Sequence, residues 1–334
     1  MTLKKIFRIL KNHFGFPVTI NWGYSLFLCS LGLLIVFLLK GIFFVEGSPI
    51  SPTSLTGYSL TEPLLVALAL LMPVATLFIE KKRKPANVIV DSIGTFTGIG
   101  PLLLSLISGV GLMFIRVPMH NLFSWAWLRI GRTLIFPAFF FVNDQGSKSE
   151  VVLGYLTGTV IPALGFSLFF TGLLWACFRK EDHKIATLMI SLFMAVFSLN
   201  FIDFLGIFVT GIWLCFLRDR TKNVWAPFFS LLGCGLSELL LGRFVKAVDI
   251  TMVQVYSDID STFFYSSLPA FLVGVILLAF FAKTLNDFKM SYDTDISING
   301  EVRDETPSIF SGVNLSMICA IMIFLILWIM VIKG

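Results

Sequence analysis

Apolar residues run through this chain in long stretches separated by short polar punctuation, and the lengths of the stretches predict helices that cross a membrane. A helix needs about 20 apolar residues to traverse about 30 Å of hydrocarbon. Runs that meet or approach this length lie near residues 22–45, 62–79, 94–115, 151–178, 184–200, 202–217, 224–242, 262–282 and 314–332. The pattern predicts an all-α, polytopic transmembrane helix bundle of about nine spans, within a range of eight to ten. Segment 118–142 breaks the pattern, because it is rich in aromatics yet carries Arg129 and Arg132 in its middle. An arginine at the bilayer centre costs at least ~2.5 kcal/mol. The segment is therefore expected to be interfacial or re-entrant, and to lie on the outer side.

The placement of Lys and Arg sets the expected orientation. Basic clusters occupy the N-terminal tail, Lys81 to Lys84, Arg179 to Lys184 and Arg218 to Lys222. The excess of Lys and Arg in cytoplasmic loops puts all four on that side, with a cytoplasmic N-terminus. Three stretches follow along the chain: N-terminal helices over 1–150, a core over 151–242, and C-terminal helices over 243–334. The last stretch contains the polar loop 283–313, which sets the final span apart from the bundle. Within that loop, Asp295 to Gly300 has the oxygen spacing of a calcium loop, but Thr306 stands where a bidentate Glu is required. A polar linker is the better reading. Gly94/Gly98 and Gly154/Gly158 sit at the four-residue spacing that lets helix backbones approach.

Composition narrows the function classes. The 334 residues are 57% hydrophobic and 13% charged, against about 25% charged in soluble domains. A net charge of +5 is what membrane-flanking Lys and Arg produce, so no nucleic-acid partner is expected. Cys29, Cys177, Cys215, Cys234 and Cys319 fall in or beside apolar runs and read as packing residues. Their spacing suggests no disulfide scaffold and no metal site. The bilayer itself is the first partner, and free thiols with Leu-, Phe- and Ile-rich helices fit a bacterial cytoplasmic membrane.

Ionisable groups inside hydrocarbon are expensive, which makes each one a functional candidate. Those in the chain are Arg129, Arg132, Asp203 and Glu238, with Asn200 beside Asp203. Asp203 reads as the cap of the helix that follows it, and Glu238 as half of an interfacial ion pair with Arg243. His13, His120 and His183 read as tail or loop residues, which removes a histidine base or zinc site from the spans. No HExxH metalloprotease motif is present, and neither a catalytic group nor a cofactor is expected.

Residues 161–241 nevertheless resemble the core of the CPBP family, the CAAX-protease and bacteriocin-processing (Abi) membrane proteins. Pro162 and Gly172-Leu173-Leu174 match the frame of that family's first motif, and Phe197 the start of its second. Gly206, Gly211, Arg220, Thr221, Trp225, Ala226 and Pro227 match the following helix, turn and helix in order. The resemblance implies a CPBP-like fold and intramembrane endopeptidase ancestry. The chain departs from the pattern where chemistry would occur. Phe166, Ser167 and Thr171 stand where the family has two glutamates and an arginine, Phe201 where it has a histidine, and Leu231 and Gly235 where it has a histidine and an asparagine. None of the family's water-activating or substrate-polarising groups is retained, and Phe, Leu and Gly can neither activate water nor polarise a carbonyl. A non-catalytic scaffold or regulator of a partner membrane or envelope protein is therefore expected. Two other readings stay open. One is a small-solute transporter or channel subunit, with Gly94 to Pro101 as a broken helix. The other is a protease whose chemistry has moved to Asp203, Glu238 and Asn200.

Overall fold

The computed structural model describes residues 22–43, 63–75, 93–94, 98–130, 148–178, 183–242, 245, 261–292 and 315–333. Nine apolar helices account for nearly all of these residues: α1 (Trp22–Phe43), α2 (Pro63–Ala75), α3 (Ile99–Arg129), α4 (Val151–Phe178), α5 (His183–Phe197), α6 (Phe201–Thr221), α7 (Trp225–Leu241), α8 (Ser261–Tyr292) and α9 (Leu315–Lys333). Each predicted run thus overlaps a helix, and no strand occurs among the described residues. Segments within α1, α3, α4, α6 and α8 are long and apolar enough to cross a membrane, while the apolar parts of α2, α5, α7 and α9 are shorter. Along α8, Leu272, Ile276 and Phe280 are 61%, 67% and 62% exposed. Their spacing of four makes one continuous apolar stripe, which is stable against lipid and not against water. This is an all-helical integral membrane protein.

Two boundaries differ from the sequence expectation. The run 94–115 and the separate element 118–142 are not divided at residue 115. A single helix, α3, continues to Arg129 with Pro118 inside it. Its 31 residues extend about 46 Å at 1.5 Å per residue, well beyond the hydrocarbon thickness. The helix also starts later than the run. Gly98 precedes it at φ +89°, with open space where a Cβ would be. Gly98 is needed for its backbone conformation, and not for close packing. Of the rest of 118–142, residues 131–142 lie outside the described residues, as does the calcium-like stretch 295–306.

The helices form two compact units. One contains α1, α2, the second part of α4 from Leu164, and α9. Here α1 packs on both α2 and α9, so the final helix is not set apart from its neighbours. Gly32 brings the α1 backbone onto α2, where an added Cβ would lie 2.7 Å from Ala69 Cα. Val66, Leu70, Phe166, Phe169, Phe170 and Leu174 are wholly buried.

The other unit contains α3, the first part of α4, most of α5, and α6, α7 and α8. Helix α3 is its axis, with α6, α7 and α8 packed against it. Glycines permit the approach. A Cβ at Gly109 would meet the backbone of Ser230, Gly233 and Cys234, and one at Gly233 would meet that of Leu106. Gly274 does the same for α8 on α3, and Gly211 for α6 on α5. The predicted packing position Gly154 has nothing near its Cβ direction. Around these contacts Leu112, Met113, Leu217, Cys234 and Leu285 form an apolar core. Within it Trp213 Nε1 donates to Ser108 Oγ at 3.2 Å, and Ser108 Oγ shares a hydrogen bond with Ser230 Oγ at 3.1 Å. This buried polar contact ties α3, α6 and α7 at one depth.

Helix α6 ends at Lys222, which adopts the left-handed conformation at φ 52° and returns its N–H to the Arg218 carbonyl. Asn223 Oδ1 then accepts the Trp225 N–H at 2.9 Å, so the Arg-Thr…Trp-Ala-Pro stretch is the turn from α6 into α7.

Candidate functional site

Two sets of residues bear on function: the positions of the family pattern, and a polar cluster that the helix packing assembles from separate stretches. Phe166 in α4 is buried among aromatics, Ser167 Oγ is buried with no hydrogen-bond partner among the described residues, and Thr171 Oγ1 donates to the Ser167 carbonyl. Phe201 opens α6 and stacks at 5.1 Å on Trp127 and edge-on to Phe123. Leu231 in α7 is completely buried. A Cβ on Gly235 would lie 3.0 Å from Thr159 Cβ, with the Thr159 side-chain tips nearer still. Among these positions Phe166, Phe201, Leu231 and Gly235 carry no ionisable group, and Ser167 and Thr171 carry hydroxyls.

The polar cluster lies between α3, α6 and α7. His120 Nδ1 meets Asp203 Oδ1 at 2.8 Å, and the two side chains are only 11% and 12% exposed. Asn200 Nδ2 donates to Asp203 Oδ2, also at 2.8 Å. Asn200 Oδ1 accepts the Ile202 N–H at 3.0 Å. Asn200 is therefore the N-cap of α6. The sequence reading assigned that cap to Asp203, which instead sits in the first turn and turns its carboxylate to α3. Arg116, one turn before His120, donates to Cys234 Sγ at 3.7 Å. Arg116 also interacts electrostatically with Glu238 and Asp203, and Glu238 with His120.

Of the candidate residues, Asn200, Asp203 and Glu238 thus come together. Arg129 does not join them. It lies in the last turn of α3, its guanidinium 5.0 Å over the Trp125 ring. Arg132 lies outside the described residues, as does Arg243, the expected partner of Glu238. Arg116 and His120 are the residues that sequence reasoning missed. His120 is a helix residue and not a loop residue, because α3 runs through the polar interruption Arg116-Val-Pro-Met-His120-Asn121. The available signal was the i, i+4 spacing of Arg116 and His120, repeated by Cys234 and Glu238 on α7.

An integral membrane protein with this helical build accommodates many activities, and the comparison with known families is more specific. Residues 148–234 match the family model Rce1-like, described as Type II CAAX prenyl endopeptidase Rce1-like. The matched stretch overlaps the resemblance at 161–241. The match takes in α4, α5, α6 and most of α7, and leaves α1, α2, α3, α8 and α9 outside. Asn200, Asp203 and Cys234 fall within it, whereas Arg116, His120 and Glu238 do not. Neither a curated protein nor a solved structure matches the chain.

Proposed function

We propose that the protein is a non-catalytic Rce1-like membrane protein that holds or regulates a partner membrane or envelope protein. The observation that carries the reading is the packing at Leu231 and Gly235. In the family pattern these positions bear a histidine and an asparagine, yet here one is filled by a buried leucine and the other pressed against Thr159. An asparagine side chain at 235 would collide with the Thr159 side chain of α4, which would have to give way. The site is closed by close packing as well as lacking its ionisable groups. A membrane-embedded body stripped of turnover retains shape and helix surfaces, and those serve assembly. The Lys/Arg-rich stretches support a cytoplasmic N-terminus, and free thiols with Leu-, Phe- and Ile-rich helices fit a bacterial cytoplasmic membrane.

Affinity purification of the tagged protein in mild detergent tests the role. A stoichiometric membrane or envelope protein is expected to co-purify and to survive gel filtration. A lone chain whose melting temperature rises with a small solute would point to transport instead.

A further inference from the structure

The last turn of α6 and the turn that follows it place two cations on one carboxylate. Lys222 Nζ donates to Asp219 Oδ1 at 2.9 Å, and Arg220 Nε lies 4.0 Å from Asp219 Oδ2. The second distance is too long for a hydrogen bond, and Arg220 Nε has no hydrogen-bond partner among the described residues. Its guanidinium is held instead over the Phe216 ring, 5.4 Å from the centroid. Two positive charges thus flank a single negative one, and one positive charge is left over. Both side chains reach the outside, Arg220 being 31% and Lys222 54% exposed. The Lys222 ammonium keeps two further N–H donors after serving Asp219.

The depth of these groups follows from the length of α6. Its 21 residues extend about 31 Å, close to the thickness of the hydrocarbon. A helix that crosses over this length puts Arg220 and Lys222 among the lipid phosphates. Trp225 opens α7 three residues beyond Lys222, 37% exposed and edge-on to Phe228, and tryptophan is enriched at the headgroup level. We propose that Arg220 and Lys222 seat the phosphate of an anionic phospholipid, whose glycerol and acyl chains pass Trp225. A phosphodiester with an otherwise neutral headgroup brings one negative charge, which completes the balance with Asp219. A zwitterionic lipid brings its own ammonium and leaves the excess in place. A guanidinium already fixed on a ring has little freedom left to lose when it meets a phosphate. The seat is independent of any turnover by the protein.

Native mass spectrometry of the full 334-residue chain, released from mixed micelles of phosphatidylglycerol and phosphatidylcholine in equal amounts, tests this. The wild type is expected to retain phosphatidylglycerol in preference. Arg220→Gln and Lys222→Gln should each lower that preference about fivefold, the weight of one cation at an anionic membrane surface. Lys283→Gln removes an exposed lysine of α8 and should leave the preference unchanged. Circular dichroism checks that the helices persist, and the exposed position of Lys222 makes Lys222→Gln the variant least able to disturb the fold. A wild type that takes both lipids equally overturns the proposal, as does an unchanged preference in both variants. So does an equal fall in Lys283→Gln, the mark of a diffuse surface charge. Release of the lipid by millimolar inorganic phosphate also overturns it, since the site would then serve the free ion.

Discussion

Gly233→Ala is expected to be the most damaging single-methyl change in the chain. A Cβ at 233 points at the Leu106 backbone, 2.8 Å from its carbonyl carbon and closer to its oxygen. Neither atom is the end of a flexible side chain, so α7 must move away from α3. That displacement spreads, because Gly109 approaches Ser230 and Cys234 at the same crossing. The Ser108–Ser230 hydrogen bond and the Trp213 contact to Ser108 lie in the same layer. Overpacking in a dense interior costs up to about 3 kcal/mol, and the buried hydroxyls that lose partners add to it. Unfolding in a denaturing detergent should read a loss on the order of 3 kcal/mol. Gly154→Ala is the control. It adds the same methyl into open space and is expected to change stability by no more than about 0.5 kcal/mol.

Asp203→Ala is expected to follow closely, for a different reason. The substitution removes the acceptor shared by His120 and Asn200, and leaves a nearly buried imidazole beside Arg116 with its carboxylate partner gone. Two hydrogen bonds to a carboxylate are lost, and since each is worth about 1.5–3 kcal/mol a loss of about 3 kcal/mol is expected. Asn200→Ala should cost about 1 kcal/mol, the size of a lost N-cap. His120→Ala combined with Asp203→Ala should cost clearly less than the sum of the single changes, since each removes the group that the other strands. Additive effects in that cycle would mean that the 2.8 Å contact does not stabilise the bundle.

These two predictions draw on features that were unequally legible in the sequence. The helices themselves were readable because hydrocarbon imposes a length on every span, and an apolar run records that length. Boundaries were less so. Around residue 118 the polar letters Arg116, His120 and Asn121 beside a proline look like a loop. In the folded chain Arg116 meets Cys234 and His120 meets Asp203 on other helices, so α3 continues through them. A pattern reading sees each residue's cost and not the partner that offsets it. That is also why Asn200, Asp203 and Glu238 could be singled out one by one while the cluster they form could not be seen. The glycines carry the same lesson. Gly98 and Gly154 belong to the regularly spaced pairs yet face open space, while close contacts are made by Gly32, Gly109, Gly211, Gly233 and Gly274. Only the identity of the facing helix distinguishes the two groups.

The Rce1-like stretch explains why a chain so poor in charge keeps a recognisable frame. Turn and packing residues such as Thr221, Asn223 and Trp225 perform structural work that does not depend on turnover. The most direct test of the proposed non-catalytic role is a cleavage assay with purified protein in lipid, using a prenylated peptide of the CAAX type and a hydrophobic transmembrane peptide, analysed by mass spectrometry. Both peptides should remain intact, and should still do so when Leu231→His and Gly235→Asn are introduced together. Cleavage by the wild type that disappears in Asp203→Ala or Glu238→Ala, with the fold retained, would contradict a non-catalytic role.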